Sequence, residues 1–257
     1  MAAIARRALR SDSSSSGSSD DSGGSMDSRT DAPLSVAFLH PDLGLGGAER
    51  LVVDAMQALI DKVVCLPRCA SACGSVLTPH TSWVACAHQG HDVNMFTSHY
   101  NPGRCFQETK SSRFRVTVYG DFLPRHLMSA FHIVFANLRS AYLATMVALR
   151  HPRPDLYVCD QVSMCHLILR ILQPRAKILF YCHYPDQLLA ARTSLLKRMY
   201  RPLFDLVEEL TTGLADVIVC NSKFSRGVFR NTFRMLRGVS PGILHPCVDL
   251  SAIERCV

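Results

Sequence analysis

The chain has 257 residues, 48% of them hydrophobic, with 28 Lys and Arg against 21 Asp and Glu. That length buries a sizeable core and suits one large α/β domain or two small ones. The composition excludes a fibrous repeat, a wholly disordered chain and a small disulfide scaffold. The net charge of +7 points to an anionic partner without naming it. Every long apolar run is interrupted by charge, so no clear transmembrane span stands out. The eleven cysteines are irregularly spaced, and several (Cys159, Cys182, Cys220) sit inside apolar runs. Reduced core thiols facing a reducing compartment are therefore expected.

In chain order, residues 1–33 read as a disordered leader. Ser11 to Thr30 holds ten Ser, four Asp and three Gly, with almost nothing to bury. Its acids argue against a transit peptide, and no apolar signal core follows Arg6, Arg7 and Arg10. Order begins at Leu34. Ser35–His40, between Pro33 and Pro41, reads as a buried strand, and a glycine-rich turn then leads into a helix carrying Leu51, Val52, Ala55 and Leu59. Further strands are predicted at 92–97, 115–119, 156–160, 177–183 and 216–221, with helices at 125–150, 163–172, 193–210 and 222–236. Alternation of this kind predicts a Rossmann-like parallel sheet wrapped on both faces, with ligands outside the carboxyl ends of the strands. Residues 63–87 break the rhythm. They carry Cys65, Cys69, Cys73, Cys86 and Trp83 without periodicity, and removing them leaves an ordinary short connection, so they read as an insertion. Zinc is the sharper alternative there, but Pro67 and Gly74 spoil the alignment and no metal site is expected.

Four features carry candidate chemistry. Gly44, Gly46 and Gly47, followed by Glu49 and Arg50, stand between strand and helix, where free backbone N–H groups and a helix N-terminus suit a phosphate. The third position of a dinucleotide fingerprint is Glu49, and no Lys-Ser/Thr of a Walker loop follows. His183 and Asp186 lie at the end of the 177–183 strand, in the expected ligand crevice, with Asp160-Gln161 a weaker candidate of the same kind. Ser222 reads as a helix N-cap. Lys223, Arg226, Arg230, Arg234 and Arg237 form a basic helix face, with Arg192, Lys197, Arg198 and Arg201 as a second cluster. Such faces suit lipid head groups or pyrophosphate. Nothing accompanies them that suggests nucleic acid. The apolar helix 127–149, nearly encircled by apolar residues and carrying Arg139, suits a membrane interface better than a span.

Several segments resemble the eukaryotic α-1,3/1,6-mannosyltransferases of asparagine-linked glycosylation. They are Phe38-Leu-His-Pro-Asp-Leu-Gly-Leu-Gly-Gly-Ala-Glu-Arg50, Val158-Cys-Asp-Gln161, Lys177-Ile-Leu-Phe-Tyr-Cys-His-Tyr-Pro-Asp186 and Glu208-Glu-Leu-Thr-Thr-Gly-Leu-Ala-Asp216. The resemblance covers residues 34–250 apart from the insertion. It implies the N-terminal, acceptor-side domain of a retaining GT-B glycosyltransferase. Such an enzyme transfers mannose from GDP-mannose to a dolichol-pyrophosphate-linked oligosaccharide, first α-1,3 and then α-1,6, at the cytosolic face of the endoplasmic reticulum membrane. It implies no cofactor or catalytic metal, a phosphate-lining role for Gly44–Arg50, and an acceptor-side role for His183 and Asp186. Arg139, Arg226, Arg230 and Arg234 are the expected membrane or anion contacts.

The family's second half carries a basic pair for the pyrophosphate and an E-x₇-E motif. Here Ile243–Leu250 resembles the hinge into that half, residues 251–257 form a short tail, and no suitable E-x₇-E follows Glu209. The nucleotide-sugar domain is thus expected to be missing and the polypeptide alone to be inactive. A truncated, non-catalytic isoform that binds acceptor lipid or membrane is the alternative, and an unrelated nucleotide-binding Rossmann domain is a distant third.

Overall fold

Side chains alternate across a strand, so Ser35–His40 (β1) sends Val36 and Phe38 to one face and Ala37 and Leu39 to the other. All four are buried, as expected of a central strand covered on both sides. The computed structural model describes residues 33–61, 91–124, 132–189 and 195–246, with the side chains of 195–198 and 200 excepted. The leader, the insertion 63–87, the start of the predicted 125–150 helix and the tail fall outside these residues.

All six predicted strands form, as β1, β2 (Asp92–Thr97), β3 (Arg115–Val118), β4 (Leu156–Asp160), β5 (Ile178–Cys182) and β6 (Val217–Cys220). A seventh, β7 (Gly242–Ile243), reaches the first residue of the hinge-like segment and is too short to carry a periodic signal. The sheet order is β3-β2-β1-β4-β5-β6-β7, and every pairing is parallel. The chain winds outward from β1 to β3, then returns to β4 on the other side of β1. The direction reverses between β1 and β4, and their carboxyl ends open there into a crevice.

Helices α1 (Gly47–Ile60), α2 (His132–Arg150), α3 (Met164–Leu172), α4 (Asp186–Leu189), α5 (Leu195–Thr212) and α6 (Lys223–Thr232) complete the layers. Leu51, Val52, Val53 and Met56 of α1 pack with Val36, Phe38, Val158 and Leu179 on one face. Leu143, Ala144 and Val147 of α2, Leu169 of α3 and Phe229 of α6 pack with Ala37, Leu39, Tyr157 and Phe180 on the other. Ser222 caps α6 as expected, its hydroxyl accepting from the Ser225 N–H at 3.1 Å. Cys105, Cys159, Cys165, Cys182 and Cys220 are free and buried.

Two expected basic contacts are overturned. Arg139 lies on the inward side of α2 with Ser140, Leu143 and Val147, only 7% exposed, so it does not reach a membrane surface. Its neighbours along that face are packed against the sheet, and the helix repeat carries Arg139 in with them. By length and composition alone α2 is apolar enough to cross a membrane, but 28% of it is buried in the fold. Arg201, grouped by sequence with Arg192, Lys197 and Arg198 in an anion-suited cluster, is only 5% exposed and is held among carboxylates.

Candidate active site

Three strands deliver three polar side chains to the crevice. His40 ends β1, Asp160 ends β4, and His183 follows the last residue of β5. Since β4 pairs with both β1 and β5, the Asp160 carboxylate lies between the two rings. His40 Nδ1 stands 2.9 Å from Asp160 Oδ2 in a buried hydrogen bond. His183 Nε2 stands 2.8 Å from Asp160 Oδ1, within ion-pair distance but without the geometry of a full hydrogen bond. Burial alone would push the Asp160 carboxyl up. The approach of His183 and the bond from His40 outweigh it and hold the group below the ordinary aspartate range. Asp160 is therefore a carboxylate at neutral pH. Of the three side chains, only that of His183 is open to the crevice, at 22% exposure against 2% or less for the others.

The backbone beside this triad is strained. Gln161 has φ +62°, and the Val162 N–H donates to the Asp160 carbonyl at 2.8 Å, closing a tight turn around it. A side-chain-bearing residue in that region costs on the order of 1–3 kcal/mol, and such strain gathers at ligand sites. The turn directs the chain sharply away from β4 and leaves the Asp160 carboxylate at the strand tip.

The glycine-rich turn lies beside β1 and on the same edge. Leu43 is buried and bridged to Tyr100, anchoring the turn to the loop after β2. A Cβ at Gly44 or Gly47 would meet nothing within 4 Å, so the chain's own packing does not require glycine there. Gly46 is the N-cap of α1, and a Cβ on it would collide with the Glu49 carboxylate, which folds back over the first helical turn. An acid at that position complements the N-terminal end of the helix dipole.

The structure reassigns two other predicted residues. Arg50 does not offer a free guanidinium to phosphate. Nη1 donates to Glu108 at 2.8 Å, Nη2 donates to Asp54 at 2.5 Å, and the group lies 5.2 Å from the Phe106 ring centre. The Asp186 carboxylate, expected on the acceptor side, pairs with Arg201 at 3.2 Å, while His183 meets Asp160. Of the basic face, Arg230 and Arg234 are exposed and Arg226 is half-buried. Sequence reasoning missed His40, because its role depends on strand order. The fully buried Cys159, Cys165 and His166 place three possible metal-ligand atoms within 4.8 Å of one another. The buried His166 Nδ1 is 3.0 Å from the Thr211 carbonyl and the ring packs edge-on against Phe180, which fits a core histidine.

Residues 84–251 match the model of Glycosyltransferase Family 4. The chain belongs to that family. Over 220 residues it is 43% identical to the Alpha-1,3/1,6-mannosyltransferase ALG2 of Debaryomyces hansenii, covering 84% of this chain and 40% of that protein. The ALG2 proteins of Saccharomyces cerevisiae and Homo sapiens are 42% and 41% identical, over 85% and 87% of this chain and 38% and 47% of their own lengths. The chain thus spans about two fifths of the length of these relatives. Among solved structures, sucrose-phosphate synthase from Thermosynechococcus elongatus has the same fold, with a TM-score of 0.50 and 15% identity over 84% of this chain and 49% of that one. The sheet is the Rossmann-like lobe expected of a GT-B glycosyltransferase.

Proposed function

We propose that this chain is the acceptor-side lobe of an α-1,3/1,6-mannosyltransferase, acting with GDP-mannose on a dolichol-pyrophosphate-linked oligosaccharide at the cytosolic face of the endoplasmic reticulum. The observation that carries the reading is the His40–Asp160–His183 triad at the switch point of a Glycosyltransferase Family 4 sheet. Asp160 fixes and polarises His183, which then presents a ring to sugar hydroxyls. Charge and geometry are set before substrate arrives, which lowers the cost of orienting it. The reaction needs no cofactor in this proposal. The relatives' greater length leaves room for a second lobe that holds most of the nucleotide sugar.

Co-expression with the remaining C-terminal part of the Debaryomyces hansenii protein provides the test. Mannose transfer to the lipid-linked acceptor is expected from the pair and not from the 257-residue chain alone. Transfer of a different sugar, or full turnover by the chain alone, would overturn the proposal.

The glycine turn is proposed to approach the donor phosphates. Gly44→Ala meets no clash, so its unfolding midpoint should stay within about 0.5 kcal/mol of wild type. In the paired enzyme, KM for GDP-mannose should rise about tenfold, because the new methyl occupies the space of the phosphate. An unchanged KM would remove the turn from the donor site.

Membrane contact is proposed through α5 and α6 in place of Arg139. Met199, Leu203, Leu206 and Leu210 form an exposed stripe along α5, with Met199 81% exposed. Exposed Phe224 and Arg230 stand on α6, and exposed Arg234 lies two residues past its end. An apolar stripe with basic neighbours suits an anionic interface. The double variant Leu203→Ser, Leu206→Ser should cosediment with anionic vesicles about tenfold more weakly than wild type. Equal sedimentation would rule this face out.

A further inference from the structure

The turn that carries His183 is not self-supporting. After β5 the chain passes Tyr184 and Pro185 into α4, a helix of only four residues, too short to persist without outside contacts. Those contacts come from α5. Glu208 accepts from the Asp186 N–H through Oε1 at 2.8 Å and from the Gln187 N–H through Oε2 at 3.1 Å. Arg201 Nη2 donates to the Asp186 carbonyl at 3.1 Å and to its carboxylate at 3.2 Å. One acid and one base, seven residues apart and so on the same side of α5, grip the turn from both ends of the peptide dipole.

The same helix reaches the neighbouring strand end. Ser163, three residues after Asp160, shares a 2.7 Å hydrogen bond with Thr211 and donates to the Glu208 carbonyl at 3.3 Å. Helix α5 therefore ties together the β4 turn beside Asp160 and the β5 turn that bears His183. These two groups must meet within ion-pair distance for the site to work as a unit.

We infer that Arg201 and Glu208 are positioning residues. They clamp the β5–α4 turn against α5 and thereby set the His183 ring against Asp160. The inference rests on the reading of His183 as the substrate-facing group of the cleft, and it assigns roles to two residues that touch no substrate. Arg201 is buried, so its cost of desolvation is offset only while Asp186 and Asp205 face it. A clamp of this kind holds one geometry of the turn and releases it when either jaw is removed.

Histidine-selective NMR on the 257-residue chain tests this without any donor sugar. The His183 ring signal is identified by its loss in His183→Gln, and its position without the Asp160 charge is taken from Asp160→Asn. In Glu208→Ala the Asp186 and Gln187 amides should exchange faster, and the His183 signal should move by more than its linewidth toward the Asp160→Asn position. The signals of His99 and His151, on other elements, should stay in place. Glu208→Gln keeps one acceptor oxygen and should move the signal part of the way, which preserves the test if the alanine variant does not fold. An unmoved His183 signal in a folded variant, or a uniform movement of all histidines, would overturn the positioning role. Failure of mannose transfer would instead count against the function proposed for the lobe and leave this result standing.

Discussion

Replacing Asp160 with alanine should destabilise the chain by about 3–5 kcal/mol, read from urea unfolding, and Asp160→Asn by about 1–3 kcal/mol. The carboxylate is buried at the centre of the sheet edge, with a histidine on each side. Alanine leaves the wholly buried His40 ring without its Nδ1 partner, and the unsatisfied group accounts for most of the loss. Asparagine keeps the shape and one oxygen but removes the charge that both rings face. In the paired enzyme it should lower kcat on the order of 10²-fold, because His183 loses the group that orients it. The pH dependence has a fixed sign. The folded Asp160 group lies below its ordinary value of 3.8, so its contribution is fully present above pH 3.8 and is lost as pH falls through the lower folded value. The gap between wild type and Asp160→Asn should therefore close in acid. A wild-type urea midpoint for Asp160→Ala would be incompatible with a buried triad.

The central strands β1, β4, β5 and β6 were legible because each is a short apolar run bounded by turn residues, and burial on both faces removes the need for alternation, whereas edge-side β3 has no buried residue. The site was legible only one residue at a time. His183 and Asp160 could each be placed at a strand tip, but their pairing depends on β1, β4 and β5 being neighbours, which no local pattern encodes. His183 and Asp186 share a motif in the sequence, but they do not pair in the fold. The structure instead uses an acid 23 positions earlier, delivered by the adjacent strand. The basic residues failed for a related reason. Arg50 is held by Asp54 on its own helix and by Glu108, 58 positions away, and Arg201 by Asp205 on its own helix and by Asp186 outside it.

Helix α5 held a signal that periodicity alone could have exposed. Arg201, Asp205 and Glu208 fall at spacings of four and three, and so do Leu203, Leu206 and Leu210. A surface helix of a globular domain turns its apolar stripe inward. This one turns Arg201 and Glu208 inward, onto Asp186 and Gln187, and leaves the leucines outside. The inversion is explained if charge is needed inside to hold the turn that carries His183, and if an apolar surface is needed outside for the interface proposed above. Binary patterning fixes that a helix is amphipathic, and the contacts of the inward stripe decide which side it buries.

The charge inside carries a stability cost that depends on pH. Burial, opposed by the two backbone N–H donors of Asp186 and Gln187 and reinforced by the nearby Asp186 and Asp205 carboxylates, raises the Glu208 group from 4.5 to about 7. A carboxyl group raised in the folded state binds its proton more tightly there than in the unfolded chain. Its protonation therefore favours folding, and stability falls as pH rises from about 4.5 to about 7. Across that window the cost is on the order of 3 kcal/mol, enough to lower the melting temperature by several degrees. Glu208→Gln carries no charge at any pH, so the wild type should lose stability relative to it between pH 5 and pH 7.5, as followed by paired thermal melts. Asp160 titrates below this window and does not contribute to the difference. A difference that stays constant with pH would mean that the Glu208 carboxylate is not held in the buried clamp, and the turn bearing His183 would then be secured by Arg201 alone.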